Sequence, residues 1–308
     1  MTDNLTKLAG LIENYNQTCG EKIKIEYNEP MSRHTTFRIG GNSDLLVIPQ
    51  SVEALTELCA MIKETDSRAY FLGNGSNVLF DDEGYRGVVV ILTALRDVTC
   101  EGNVITADAG MSFTALAARA RDYSLTGLEF AYGIPGTVGG AVFMNAGAYG
   151  GEVSFVLKES TYLDLDQLTV HTISLAEHEF GYRDSIYKHT NRLILSASFE
   201  LKLGNKDEIS AVMNDYMDRR VTKQPLEYPS AGSVFKRYPG RYTGQMIEEA
   251  GLKGYTIGGA QVSEKHAGFI INIGGATCAD VRNLIKHIQG VILEKFGCAI
   301  ECEVIYVK

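Results

Sequence analysis

No apolar run in the 308 residues approaches the roughly 18–20 needed to span a bilayer. The first residues, MTDNLTKLAGLIENYN, lack a cationic segment followed by an apolar core. Neither a membrane span nor a secretory leader is expected, and the chain reads as cytoplasmic. Its six cysteines (Cys19, Cys59, Cys100, Cys278, Cys298, Cys302) form no CxxC pair. In that compartment they read as reduced, mostly buried thiols. Even Cys298 and Cys302 would stand about 13 Å apart along a strand, beyond disulfide reach. The six histidines show no HExxH or comparable spacing, so no metal site is expected. The absence of GK[ST] excludes a P-loop, and the absence of GxSxG argues against a hydrolase nucleophile elbow. A net charge of −9 argues against nucleic acid or an anionic membrane as partner.

One segment opposes that charge balance. Arg219, Arg220, Lys223, Lys236, Arg237 and Arg241 lie within twenty-three residues that hold only one acid, Glu227. This is either a solvated basic face or an anion-binding edge for a small phosphorylated ligand. The 45% hydrophobic and 22% charged content is otherwise that of a soluble globular protein with a well-buried core.

Helical periodicity and capping residues predict an N-terminal helix, a helix over SVEALTELCAMIKETD capped by Ser51, and a helix over SFTALAARARDYS capped by Ser112. AYFLG and GVVVIL read as strands, DVTCEGNVITADAG as a hairpin, and LILSASFELKL as an alternating strand. From Asn205 the texture changes. KDEISAVMNDYMDRRV and TGQMIEEAGL read as helices, YTIGGAQVS and HAGFIIN as strands, and CADVRNLIKHIQGVILEKFG as a strongly amphipathic helix. IECEVIYV reads as a closing strand with Glu301 and Glu303 on one face. There is no internal repeat or low-complexity linker. The expected division is a lead-in over 1–35, a functional unit over 36–204 with lobes of about 36–92 and 93–204, and a C-terminal domain over 205–308.

Seven glycines fall in the nineteen residues GIPGTVGGAVFMNAGAYGG, 133–151. Each glycine costs roughly 0.5–1 kcal/mol inside a regular element, so the density points to positive φ or to close backbone approach. GIPGT reads as a turn, with Thr137 capping a helix whose amides and dipole would face an anion, unobstructed at Gly139 and Gly140. Close helix-to-sheet packing is the competing explanation. GNGSNVLF, 73–80, offers a second glycine loop, but Val78 stands where a Rossmann fingerprint needs its third glycine. It is either a phosphate cradle or a plain Asn/Gly turn. Together the two loops suggest a clamp for a diphosphate. In GYRDSIYK, Arg183 is an anion ligand or an ordinary ion-pair partner. In PSAGSVFK, Ser233 sits in a small-residue turn, where its hydroxyl either steadies the turn or does chemistry.

Together these motifs, with GLKGYTIGGAQVSEKHAGFIIN and ECEV, resemble the UDP-N-acetylenolpyruvoylglucosamine reductase family of peptidoglycan synthesis, in family order from about residue 30 to 305. The lack of an insertion after GYRDSIYK resembles the shorter, type II branch. The resemblance implies an α+β chain: a two-lobed FAD-binding fold of the vanillyl-alcohol-oxidase/PCMH type plus a C-terminal α/β substrate-binding domain. It implies FAD, NADPH as co-substrate and a small UDP-sugar substrate. No histidine or cysteine stands out as an attachment site, so the flavin is expected to be non-covalent, and a monomer or weak oligomer is expected. The flavin-binding positions would be Gly73, Asn74, Gly75, Ser76 and Asn77 in the first loop. In the second they would be Gly133, Ile134, Pro135, Gly136, Gly139, Gly140, Asn145 and Gly147. Arg183, Ser233 and Glu303 would be catalytic, and Tyr182, Lys223, Lys236 and Gln261 would surround the substrate. Arg237 stands where some members carry Asn. Two other classes remain to be separated by experiment: a flavin- or UDP-sugar-binding protein without turnover, and an oxidase on the same fold.

Overall fold

The computed structural model describes residues 2–20 and 22–308. Two compact units divide the chain: Met1–Tyr27, Asp44–Asn74 and Gly87–Asp218 form the first, and Asn28–Ser43, Gly75–Arg86 and Arg219–Lys308 the second.

In the first unit, hydroxyls start the helices. Thr2 caps α1 (Asp3–Cys19), Ser51 caps α2 (Val52–Glu64), Ser112 caps α3 (Phe113–Asp122) and Thr137 caps α4 (Val138–Phe143), each accepting from an amide of the first turn. Those amides lack acceptors within the helix itself, which is why Ser and Thr are favoured there. Leu5, Leu8, Ile12, Leu55 and Leu58 of α1 and α2 share a core with Ile23, Leu45, Val47, Val88 and Val90. The latter come from a sheet ordered 23–30, 42–49, 85–91, 69–72. A second sheet is antiparallel throughout and ordered 169–174, 157–164, 192–200, 104–108, 98–101. Phe113, Leu116, Val138 and Val142 of α3 and α4 pack with its Ile105, Ile194 and Phe199. Burying each such large side chain contributes about 1.5–3 kcal/mol.

Helix α5 (Lys206–Lys223) carries the chain onward. The second unit holds an antiparallel sheet ordered 230–233, 269–272, 260–262, 256–257, with helices α6 (Thr243–Glu249) and α7 (Cys278–Phe296). The apolar stripe of α7, Val281, Leu284, Ile288 and Ile292, is fully buried in one core with Ala260, Val262 and Ile270. Its start is doubly capped. Thr277 and Asp280 form a capping box, and the Asp82 carboxylate accepts from Cys278 N at 2.7 Å and Ala279 N at 2.9 Å.

Two local expectations are corrected. Residues 230–233 form a strand with a register shift, Gly232 taking φ +75°, so Ser233 ends a bulged strand and not a plain turn. The closing segment is not one strand. Cys302 bridges antiparallel to Phe235, the chain bends at Val304, and Ile305–Val307 then pairs parallel with Val78–Phe80.

His178 of the first unit is fully buried, its Nδ1 donating to Ser174 O at 2.8 Å. Burial holds it below its ordinary value of 6.5. The native ring is therefore neutral where an unfolded chain already binds a proton, so acid favours the unfolded state. The stability associated with His178 is complete above pH 6.5 and declines as pH falls through and below it. Urea melts between pH 7.5 and pH 5 are expected to show a shallower decline in His178→Gln than in the parent, and an unchanged slope would contradict this assignment.

Candidate active site

In the first unit the two glycine-rich loops touch. A Cβ at Gly73 would overlap the Thr137 hydroxyl, and the Asn74 side-chain amide donates to Pro135 O at 2.5 Å. The start of α4 does not present its amides as the sequence suggested. Val138 N donates to Met111 O at 2.8 Å, Gly139 N to Ala109 O at 2.8 Å, and Gly140 N to its own cap Thr137 at 3.3 Å. Gly139 is a packing glycine, since its Cβ would lie 2.9 Å from that of Ala109. Gly133 N and Ile134 N are likewise taken, by Thr114 Oγ1 and Ala131 O.

The amides that remain lie just ahead of the helix. Among the described residues, Gly73 N, Asn74 N, Gly136 N and Thr137 N donate to no protein acceptor. Thr137 is 4% exposed, and a buried amide without a partner is rare. Main-chain donors beside a side-chain-free approach at Gly73 and Gly136 are the chemistry that a diphosphate requires. These residues therefore fit the pyrophosphate of a flavin dinucleotide, with the turn, not the helix dipole, as donor.

The second unit contains the remainder of the first loop. Gly75, at φ +60°, has no room for a Cβ against His34 O, and its carbonyl accepts from Thr36 N at 3.1 Å. Asn77 Nδ2 donates to Glu303 O at 3.3 Å, and Asn77 O accepts from Ile305 N at 3.0 Å.

Arg183 occupies a tight loop of the first unit closed by reciprocal main-chain bonds between Gly181 and Asp184. Its φ is +56°, unusual for a residue with a side chain. The guanidinium donates to Gly147 O at 3.1 Å and Asn145 O at 3.4 Å and lies 5.2 Å from the Tyr182 ring centroid. Lys188 Nζ holds the Arg183 carbonyl at 2.9 Å. Asn145 is 2% exposed, and its side chain donates to Gly181 O at 3.0 Å and accepts from Ser154 N at 3.0 Å. Asn145 thus braces the arginine loop with its side chain. Asp184 is held low chiefly by its hydrogen bond to His189, and its carboxylate contacts His189 and Lys188.

In the second unit, residues 234–236 pair with 301–303. Glu303 N donates to Val234 O at 2.7 Å and Lys236 N to Glu301 O at 2.9 Å. This sets the Glu303 main chain against Val234, next in sequence to Ser233, whose exposed hydroxyl makes a long 3.5 Å bond to Phe235 O. Glu301 spends its carboxylate on Lys236 Nζ at 3.0 Å on the surface, which separates the two acids. A Cβ on Gly268 would meet the Ser233 hydroxyl at 3.3 Å and His266 Nδ1 at 3.1 Å, so this glycine keeps space open beside the serine. Gln261 lies on the 260–262 strand and bonds Thr256 Oγ1 at 3.1 Å. Lys223 is exposed at the end of α5, and Tyr182 is exposed in the first unit. Sequence reasoning did not single out Lys188 or His266, although both lie inside quoted motifs.

Residues 43–172 match the family model "FAD binding domain", and residues 224–307 match "UDP-N-acetylenolpyruvoylglucosamine reductase, C-terminal domain". A UDP-N-acetylenolpyruvoylglucosamine reductase of Caldanaerobacter subterraneus subsp. tengcongensis is 50% identical over 281 residues, covering 91% of this chain and 93% of that protein. This chain belongs to the UDP-N-acetylenolpyruvoylglucosamine reductase family. A Limosilactobacillus fermentum reductase of the same name is 47% identical, over 92% of this chain and 94% of its own. The crystal structure of the Thermus caldophilus reductase superposes with a TM-score of 0.78 at 31% identity, covering 93% of this chain and 99% of that one. The fold is accordingly an α+β FAD-binding fold with a reductase C-terminal domain, and the family is one of FAD oxidoreductases.

Gly73→Ala is expected to lower FAD retention, because the added methyl pushes on Thr137 and displaces two of the four open amides. Visible flavin absorbance per protein after gel filtration measures it. Full retention would show that these amides do not hold the cofactor.

Proposed function

We propose that this protein is an NADPH-dependent flavoenzyme that reduces the enolpyruvyl ether of UDP-N-acetylglucosamine-enolpyruvate to UDP-N-acetylmuramate, in cytoplasmic peptidoglycan precursor synthesis. Residues 36–204 supply the flavin-binding machinery and 205–308 the substrate-binding domain. When bound, non-covalent FAD supplies the hydride relay from NADPH to the terminal vinyl carbon of the substrate.

The roles of the side chains follow from where charge develops. Hydride arrival at the vinyl terminus leaves an enolate conjugated with the substrate carboxylate. A fixed guanidinium opposes that charge, and Arg183 provides one, held at Gly147 O and by Lys188 behind its carbonyl. Glu303 polarises and positions the same group. Ser233 gives its proton to the neighbouring carbon; a hydroxyl is a weak acid, but the carbanion is a strong base, and proximity does the rest. Lys223 and Lys236 attract the substrate's phosphates or carboxylate, with Tyr182 and Gln261 as further substrate contacts. A basic segment in an acidic chain then has a purpose.

The observation that carries this reading is the pairing of 234–236 with 301–303, which sets the main chain of Glu303 against that of Val234, the neighbour of Ser233. Ser233→Ala is expected to retain FAD and its reduction by NADPH while transfer to the enolpyruvyl substrate falls about 10²- to 10⁴-fold. Stopped-flow absorbance resolves the two half-reactions, and equal loss of both would remove Ser233 from the proton-donor role. NADPH consumption that ignores the UDP-sugar and follows oxygen would point to an oxidase.

A further inference from the structure

Away from the residues assigned to chemistry, the first unit buries a chain of three polar side chains. Ser160, His178 and Tyr187 are 1%, 0% and 2% exposed. Because His178 Nδ1 faces the Ser174 carbonyl, it carries the proton and Nε2 is an acceptor. The Ser160 hydroxyl therefore donates to Nε2 at 2.7 Å, and the Tyr187 hydroxyl donates to Ser160 Oγ at 2.5 Å. Every hydrogen in the chain has an acceptor. The His178 ring also stacks on Phe180, 5.0 Å between centroids and 16° from parallel, and meets Tyr187 edge-on at 5.7 Å.

What the chain joins is informative. His178 immediately precedes, and Tyr187 immediately follows, the stretch that carries Arg183. Both ends are thereby tied to one atom, Ser160 Oγ, on the 157–164 strand. Between them the backbone is strained twice, at Glu179 with φ +49° and at Arg183 with φ +56°. Such conformations persist only when their surroundings hold them. Apolar packing would fill the same volume without fixing direction, whereas hydrogen bonds fix both distance and angle.

We infer that Ser160, His178 and Tyr187 are positioning residues: their buried hydrogen-bond chain clamps both ends of the 179–186 loop and so aims the Arg183 guanidinium. This rests on the catalytic reading of Arg183 given above.

The test uses full-length FAD-bound enzyme, chemically reduced with dithionite and mixed with the enolpyruvyl UDP-sugar. Ser160→Ala is expected to slow flavin reoxidation about 10- to 100-fold, the cost of a misplaced group. FAD content and reduction by NADPH should stay within about twofold. The same substitution in an Arg183→Gln background should add no more than about twofold, because the clamp has nothing left to aim. A purely structural role predicts the opposite: both half-reactions fall together, or the full Ser160→Ala effect persists without Arg183. Either result overturns the inference. Should Ser160→Ala fail to retain FAD, Tyr187→Phe, which keeps the ring and removes one hydroxyl, carries the same comparison. A parent-like reoxidation rate in Arg183→Gln alone would instead strike down the catalytic reading of Arg183, and the clamp's purpose with it.

Discussion

Among the described residues, four main-chain amides without protein acceptors set the terms for the two glycine-rich loops. Gly73, Asn74, Gly136 and Thr137 leave their N–H groups open at a point where a side chain on Gly73 would collide with Thr137. Of the four residues only Thr137 is buried, and an unmet buried amide costs about 1–3 kcal/mol, so its N–H is the one that calls for an acceptor from outside the protein. The neighbouring α4 illustrates the contrast: its first three amides are met by Met111, Ala109 and Thr137. That helix is short and locked to the sheet, and the open amides belong to the turn that precedes it. Glycine is required here for two separate reasons, close packing at Gly139 and access at Gly73 and Gly136.

Backbone strain plays the corresponding part around Arg183. Arg183 and Asn145 both adopt positive φ, +56° and +42°. Left-handed backbone costs a non-glycine residue roughly 1–2 kcal/mol. Each is held by contacts with the other's segment: the guanidinium donates to the Asn145 and Gly147 carbonyls, and the Asn145 amide donates to Gly181 O. The two strained turns are braced mutually, which holds the arginine in one orientation.

Much of this was legible in the sequence where the signal is local. Ser51, Ser112 and Thr137 cap the helices their positions predicted, and the apolar stripe of α7 is buried as its period required. The misreadings share one cause, partners distant in sequence. ECEVIYV alternates like a strand, yet the chain changes partner within it, from Phe235 to Val78–Phe80, and must bend to do so. The helix-dipole reading of TVGG failed because nothing local reveals that the carbonyls of Ala109 and Met111 already occupy those amides. Recognition of Arg183, Ser233 and Glu303 came from motif resemblance; their spacing alone left bland alternatives open.

The Ser160–His178–Tyr187 chain was illegible for the same reason, and its polarity is the clue to why it exists. A fully satisfied buried network contributes little more to stability than a well-packed apolar cluster of equal volume. If this core needed only stability, Leu and Phe would serve there, as Phe113, Leu116 and Phe199 do in the cluster that includes Tyr187. Apolar contacts tolerate small slides, and a loop with two left-handed residues relaxes by sliding. One serine hydroxyl that donates to one end and accepts from the other forbids that motion. The polar core is thus best understood as geometry preserved where geometry matters, the same logic that leaves amides open at Gly136 and a serine hydroxyl almost unbonded at the edge of the second unit.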